Sequence, residues 1–170
     1  YYLKPGEIHL PYCASPDHHY AMSDVKKEYD ASLIGLHYEQ RDRLVNRLRR
    51  EGFKVLYELG LVYDEYREKN NSATVGLNWS SKMDINARMF EAMAMKQVLL
   101  TNRLPHMEEL GFEEGRNYLG FDTVEEAVKQ MQWVRDNPEL SKSIALCGHQ
   151  MVHANHTYEK RVETIFEVMG

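Results

Sequence analysis

Cysteine is scarce in this chain: Cys13 and Cys147 lie far apart, and no Cys-x-x-Cys pair occurs. That excludes a disulfide scaffold and points to a reducing, cytoplasmic setting. Apolar runs of membrane-spanning length are missing too, and no charged start leads into an apolar centre, so neither a membrane span nor a signal peptide is read. Positive charge is not in excess. The net charge of -5 argues against nucleic acid as a partner, because such a surface must be cationic to displace phosphate counterions. No Asp-x-Asp pair is present to support a metal-bridged diphosphate. The chain opens on Tyr1 without a Met, and is expected to be a piece of a longer protein.

What is present suits one domain with a real core: 170 residues, 43% hydrophobic and 28% charged. Residues 1–30 carry several breakers (Pro5-Gly6, Pro11, Ser15-Pro16-Asp17) and read as a linker or hinge with one short strand around residues 7–10. Asp17-His18-His19 reads as a solvated turn, since consecutive side chains rarely converge on one ion. Residues 31–36 suit a buried strand. Leu44, Val45 and Leu48 then mark a helix face that Gly52 ends, and residues 53–57 form the next strand. Strand, helix, strand implies a parallel crossover. Arg47, Arg49 and Arg50 read as a solvated face, whereas Arg41 falls near the strand-loop-helix junction where a phosphate could sit.

The stretch from Asn78 to Asn102 organises the rest. Ala73, Val75 and Leu77 form an apolar strand that runs into a polar loop; a helix and a second strand over residues 98–101 follow. Open α/β sheets bind phosphorylated ligands with this unit: the loop lies at the carboxyl end of a strand, and the helix start offers unpaired N–H groups and a positive dipole end. Ile85, Met89, Ala92 and Met93 follow helical spacing and are expected to face the sheet, with Asp84, Arg88, Glu91 and Met95 on another face. Arg88 and Glu91 then have two readings. One is a solvent-facing ion pair contributing a few tenths of a kcal/mol. The other is a nucleotide clamp, with Arg88 on a diphosphate and Glu91 accepting from ribose hydroxyls. Spacing alone leaves both open. Ser81 with Asp84 matches a capping box, which accounts for Ser81 without a ligand. Trp79 reads as a core residue or a base-stacking platform, core being preferred.

Further along, residues 105–110 suggest a helical turn and residues 117–121 a last strand. Thr123 with Glu126 is a capping box, Asn137-Pro138 opens the next helix, and Thr157 caps the last one. Leu140, Ile144, Cys147 and Met151 are read as the apolar stripe of the second of these helices, and Tyr158, Val162, Ile165, Phe166 and Met169 as that of the third. His149, His153 and His156 fall at a zinc-compatible spacing, but no Cys or Glu stands beside them and no metal is assigned.

Arg88-Met89-Phe90-Glu91-Ala92-Met93-Ala94, followed by Val98-Leu99-Leu100-Thr101, resembles the donor-site segment of group 1 glycosyltransferases, closest to the spore-maturation (CgeB-type) branch. Residues 8–18, residues 32–35 leading to Arg41, residues 108–112 and 144–148, and His156-Thr157-Tyr158 with Arg161 match in order, so the resemblance spans nearly the whole chain. It implies the C-terminal, nucleotide-sugar-binding half of the GT-B fold, with residues 1–30 joining it to an N-terminal acceptor domain. Glu91 would hold the ribose, and Arg88 and Arg41 the diphosphate. Ser80, Ser81, Lys82, Asp84 and Asn86 would complete the donor site. The donor is a nucleotide diphosphate-sugar such as a UDP-sugar, no metal or other cofactor is expected, and the catalytic base comes from the other domain. In the resembling family the last helix crosses back toward that domain. One departure stands out: where many relatives carry a sugar-contacting glutamate, eight positions before the ribose-binding one, this chain has Met83.

The expected architecture is therefore α/β: a Rossmann-like parallel sheet of about five strands, helices on both faces, and a C-terminal run of helices. The rival reading, a non-catalytic module of the same fold that recognises a nucleotide or a protein, stays open on fold alone.

Overall fold

The structure, a computed structural model, describes residues 7–170. The Pro5-Gly6 breaker lies outside the described residues. Five strands, β1 (Tyr29–Ile34), β2 (Val55–Glu58), β3 (Ala73–Asn78), β4 (Val98–Asn102) and β5 (Leu119–Phe121), pair in parallel in the order β2-β1-β3-β4-β5. Among the described residues six α-helices connect and follow them: α1 (Glu39–Arg50), α2 (Tyr63–Asn71), α3 (Ala87–Ala94), α4 (Val124–Asp136), α5 (Pro138–Asn155) and α6 (Tyr158–Met169). The expected fold class is the one observed.

Parallel strands covered on both faces are apolar on both, and Ala31, Leu33, Val75, Leu77, Val98, Leu99 and Leu100 are all buried. On one face Leu44, Val45 and Leu48 of α1 and Ala127, Val128 and Met131 of α4 join them in the larger core cluster. On the other, Met89, Phe90 and Met93 of α3 pack with Leu99, Phe112 and Val152. Gly76 lets α3 approach closely, because a Cβ there would lie 2.6 Å from that of Ala92. A buried polar link ties α2 to the sheet on this face. Ser32 Oγ donates to Asn70 Oδ1 at 2.9 Å, and Gln97 Nε2 donates to Ser32 Oγ and to the Asn70 carbonyl, each at 2.9 Å.

Several expectations need correction. Residues 7–10 form no strand; Ala14 instead makes an isolated parallel bridge with Thr157, its N–H donating to the His156 carbonyl at 2.9 Å. The buried stripe of α5 is Ser141, Ile144, Ala145, Gly148 and Val152, and Leu140 is 57% exposed. Ile144 is common to the expected and observed stripes, and Gly148 sits against the Asn117 carbonyl, 2.9 Å from where its Cβ would be. The last helix buries nothing: Tyr158, Val162, Phe166 and Met169 remain exposed. Both cysteines are free, and no helix among the described residues is long and apolar enough to cross a membrane.

Candidate functional site

The strand order reverses direction between β1 and β3: the chain moves outward from β1 to β2, returns to β3, and continues the other way to β4 and β5. Loops leaving the carboxyl ends of two such strands diverge to opposite faces and leave a crevice between them, the usual ligand position in open α/β sheets. A cavity of about 490 Å³ lies there. From the end of β1 and the segment after it come Ile34, Leu36, Tyr38 and Arg41; after β3 come residues 80–82, 84, 86–88 and 91. All eight residues singled out from the sequence (Arg41, Ser80, Ser81, Lys82, Asp84, Asn86, Arg88 and Glu91) line this one cavity.

The two arginines are held by backbone and amide oxygens, and neither forms an ion pair among the described residues. Arg41, 6% exposed, donates from Nε to the Trp79 carbonyl at 3.0 Å and from Nη1 to the Leu36 carbonyl at 2.8 Å, so it ties the two loops together. Its guanidinium also lies over the Tyr38 ring, 4.9 Å from the centroid. Arg88 donates from Nε to the Ile34 carbonyl at 3.0 Å and from Nη1 to Asn78 Oδ1 at 3.2 Å. Burial pulls the Arg41 pKa below its ordinary value, and the like charge of Arg88 pulls it further. Two neighbouring cations that lack an ion-pair partner among the described residues make a site that an anion stabilises.

The loop differs from its sequence reading. No capping box forms at Ser81 and Asp84: α3 starts at Ala87, with Asn86 at the N-cap and no side-chain cap bond. Ser80 is the residue that engages Asp84, its hydroxyl donating to Oδ1 at 2.5 Å and accepting from the Asp84 N–H at 2.9 Å. That closed pair, with Met83 in the left-handed region at φ 55, turns the chain before the helix can begin. Asp84 therefore reaches the cavity from the loop and not from the helix face. Met95, grouped with that face by spacing, is 1% exposed at the C-cap of α3 and belongs to the interior. Trp79 packs edge-on against Phe121 at 5.1 Å, in the core.

Glu91 projects from the second turn of α3 with its side chain 19% exposed. It does not pair with Arg88. Tyr66, on α2, donates its phenol hydrogen to Oε2 at 2.6 Å, and His19 Nε2 stands 3.7 Å from Oε1. Burial, reinforced by the Glu91 charge, holds the Tyr66 pKa well above its usual value, so the phenol stays a donor. Burial also pulls the His19 pKa down, against the opposing influence of Glu91.

The solvated-turn reading of residues 17–19 is half right. Ser15 O accepts from the N–H groups of His18 and His19, closing a turn, but the His19 side chain is only 18% exposed. Tyr12, Tyr38 and Tyr66 also line the cavity and were missed from the sequence, as was Asn78. Asn78, fully buried, donates to Thr101 Oγ1 and accepts from both Asn86 and Arg88, so it sets the position of two site residues. Its place at the last position of a strand was the available signal, and Tyr38 stands at the N-cap of α1, in the junction that singled out Arg41; Tyr12 and Tyr66 carried none, because only tertiary packing brings them in.

His149 and His153 do lie together, 4.2 Å between centroids with the rings tilted by 50°, but His149 Nδ1 is bonded to the Ala94 carbonyl and His156 Nε2 to that of Leu110. No cluster of three metal-ligating side chains forms among the described residues. A second cavity, about 340 Å³, opens at the amino edge of the sheet between Phe53, Met131, Val134 and Lys142, and holds none of the predicted residues.

No curated protein matches the sequence. Among solved structures, sucrose-phosphate synthase from Thermosynechococcus elongatus is similar over 94% of this chain and 51% of its own, with TM-score 0.70 and 12% identity. The C-terminal domain of a group 1 glycosyl transferase (LpcC) from Francisella tularensis is similar over 85% of this chain and 99% of its own, with TM-score 0.67 and 10% identity. Anabaena HepE, solved in complex with UDP, follows at TM-score 0.64 and 14% identity, over 88% of this chain and 42% of its own. The likeness at these identities is one of fold. This chain spans about half of the sucrose-phosphate synthase and nearly all of the Francisella domain. The glycosyl transferase-like family model matches residues 18–167, and the chain belongs to that family.

Proposed function

We propose that this domain binds the nucleotide diphosphate-sugar donor of a glycosyltransferase, and that the cavity between β1 and β3 is the donor site. One observation carries the reading: two arginines without carboxylate partners and one oriented glutamate converge on the same crevice. A diphosphate joined to a ribose presents that pattern of charge and hydroxyls. Glu91 accepts from the ribose; Arg88 and Arg41 take the diphosphate; Ser80, Ser81, Lys82, Asp84 and Asn86 line the remainder.

In sugar transfer the bond between the anomeric carbon and the diphosphate oxygen breaks, and negative charge grows on the leaving group. Arg41, Arg88 and the open amides at the start of α3 stabilise that charge in place. The same side chains supply the positive charge that a divalent ion would otherwise bring, which supports a metal-independent reaction without a cofactor. An N-terminal acceptor domain of the same protein provides the catalytic base, with residues 1–30 as the join and the exposed apolar side of α6 toward it. The isolated chain then binds donor and turns over little. The order of sequence matches supports the spore-maturation (CgeB-type) branch, and the two free cysteines support a cytoplasmic setting.

Calorimetric titration of uridine and guanosine diphosphates against the wild type and Glu91→Ala tests the site. Binding of one of them, weakened about tenfold or more in the variant, is expected from loss of a hydrogen-bonded charged group. Equal binding by both proteins removes the ribose assignment, and several nucleotides bound equally well favours a general nucleotide-binding module.

A further inference from the structure

We infer that Tyr66, assisted by His19, positions the Glu91 carboxylate and thereby sets how strongly the site prefers ribonucleotides over 2′-deoxyribonucleotides. The inference rests on the donor-site reading and adds a specificity device to it.

An ionised carboxylate offers about four acceptor positions. In Glu91 one is taken by the Tyr66 hydroxyl at 2.6 Å, which anchors Oε2 to α2. Oε1 is close to His19 Nε2 but not bonded to it, since 3.7 Å exceeds hydrogen-bond range. Oε1 accepts no hydrogen bond among the described residues, and Glu91 lines the cavity, so acceptor capacity is left for a ligand. A free glutamate would sample several rotamers, and each one lost on binding weakens the ligand. Here that cost is met in the unliganded protein.

The support behind each holder is itself rigid. Tyr66 lies on α2, whose Asn70 donates to the Tyr66 carbonyl at 2.9 Å and is locked to the sheet through Ser32 and Gln97. His19 accepts from the Ser15 N–H through Nδ1 at 3.2 Å, so the neutral ring carries its proton on Nε2, the atom facing Glu91. Its ring stands edge-on to that of Tyr66, 6.1 Å between centroids. The segment presenting it is fastened to α2: Asn71 accepts from the Met22 N–H and donates to the Tyr20 carbonyl, and Arg67 lies over the Tyr20 ring at 4.4 Å.

The test compares three ligands on the full chain by calorimetry: uridine diphosphate, its 2′-deoxy analogue and inorganic pyrophosphate. The wild type is expected to prefer the ribonucleotide about tenfold, from one hydrogen bond to a charged acceptor. In Tyr66→Phe, which keeps the ring and its packing, that ratio is expected to collapse toward one while pyrophosphate affinity stays constant. His19→Ala, which removes the ring that stands edge-on to Tyr66 and beside Oε1, is expected to reduce the ratio about twofold, and His19→Gln, which again places an N–H group near Oε1, to recover it. An unchanged ratio in Tyr66→Phe, or a parallel loss of pyrophosphate binding, overturns the positioning role. If Tyr66→Phe fails to fold by circular dichroism, the His19 pair decides: equal ratios in His19→Ala and wild type overturn it. Glu91→Ala separates the two ideas, because a wild-type ratio in that variant refutes the ribose site itself, whatever Tyr66 does.

Discussion

Gly35 and Arg88 compete for one space: a Cβ on Gly35 would stand 2.1 Å from Nη2 of Arg88. Gly35 closes β1 with φ +148, a backbone conformation that L side chains rarely adopt. The end of one strand thus makes room for the cation delivered by the helix after another.

Gly35→Ala should therefore act as a binding mutation that removes no charge. Arg88 must leave its bonds to Ile34 O and Asn78 Oδ1, and uridine diphosphate affinity is expected to fall about tenfold. Calorimetry of the variant checks this, with affinity equal to the wild type as the contrary result.

Arg88→Ala should separate the two parts of the ligand. Loss of a charge-assisted contact is expected to weaken uridine diphosphate by about ten- to a hundredfold and to change uridine affinity less than about twofold. Paired titrations of the nucleotide and the nucleoside give the comparison; equal losses would take Arg88 out of the phosphate site.

Acid should destabilise the domain below neutral pH. Burial lowers the pKa of His19, His149 and His156 in the folded state, so the unfolded chain binds more protons as pH drops through the ordinary value of 6.5. Stability is full above that value and is lost as pH falls toward the depressed folded values. Urea midpoints at pH 7.5 and 5.5 measure it, and a lower midpoint at pH 5.5 is expected. A midpoint that holds or rises would show that these imidazoles do not dominate the window.

Much of this was readable in advance, for physical reasons. The apolar run Val98-Leu99-Leu100 announces a strand because a doubly covered parallel strand has no polar face. The Arg88–Glu91 spacing placed both side chains on one helix face, and they do share one cavity. The start of α3 was not readable, since a side-chain bond from Ser80 to Asp84 competes with helix at its first turn. Met95 misled because helical periodicity continues on paper past the residue where the chain leaves the helix. Tyr66 and His19 are separated from Glu91 by 25 and 72 positions, and no local pattern reports a contact made only after α2 docks. His19 was also discounted as part of a polar turn, a description true of its backbone and untrue of its ring.

Amide chemical-shift mapping during a uridine diphosphate titration tests the location of the site most directly. The account predicts saturable shifts concentrated in residues 34–41 and 79–91, with the amides of Ala87 and Arg88 among the largest. Shifts gathered instead around Phe53, Met131 and Lys142, at the amino edge of the sheet, would contradict it.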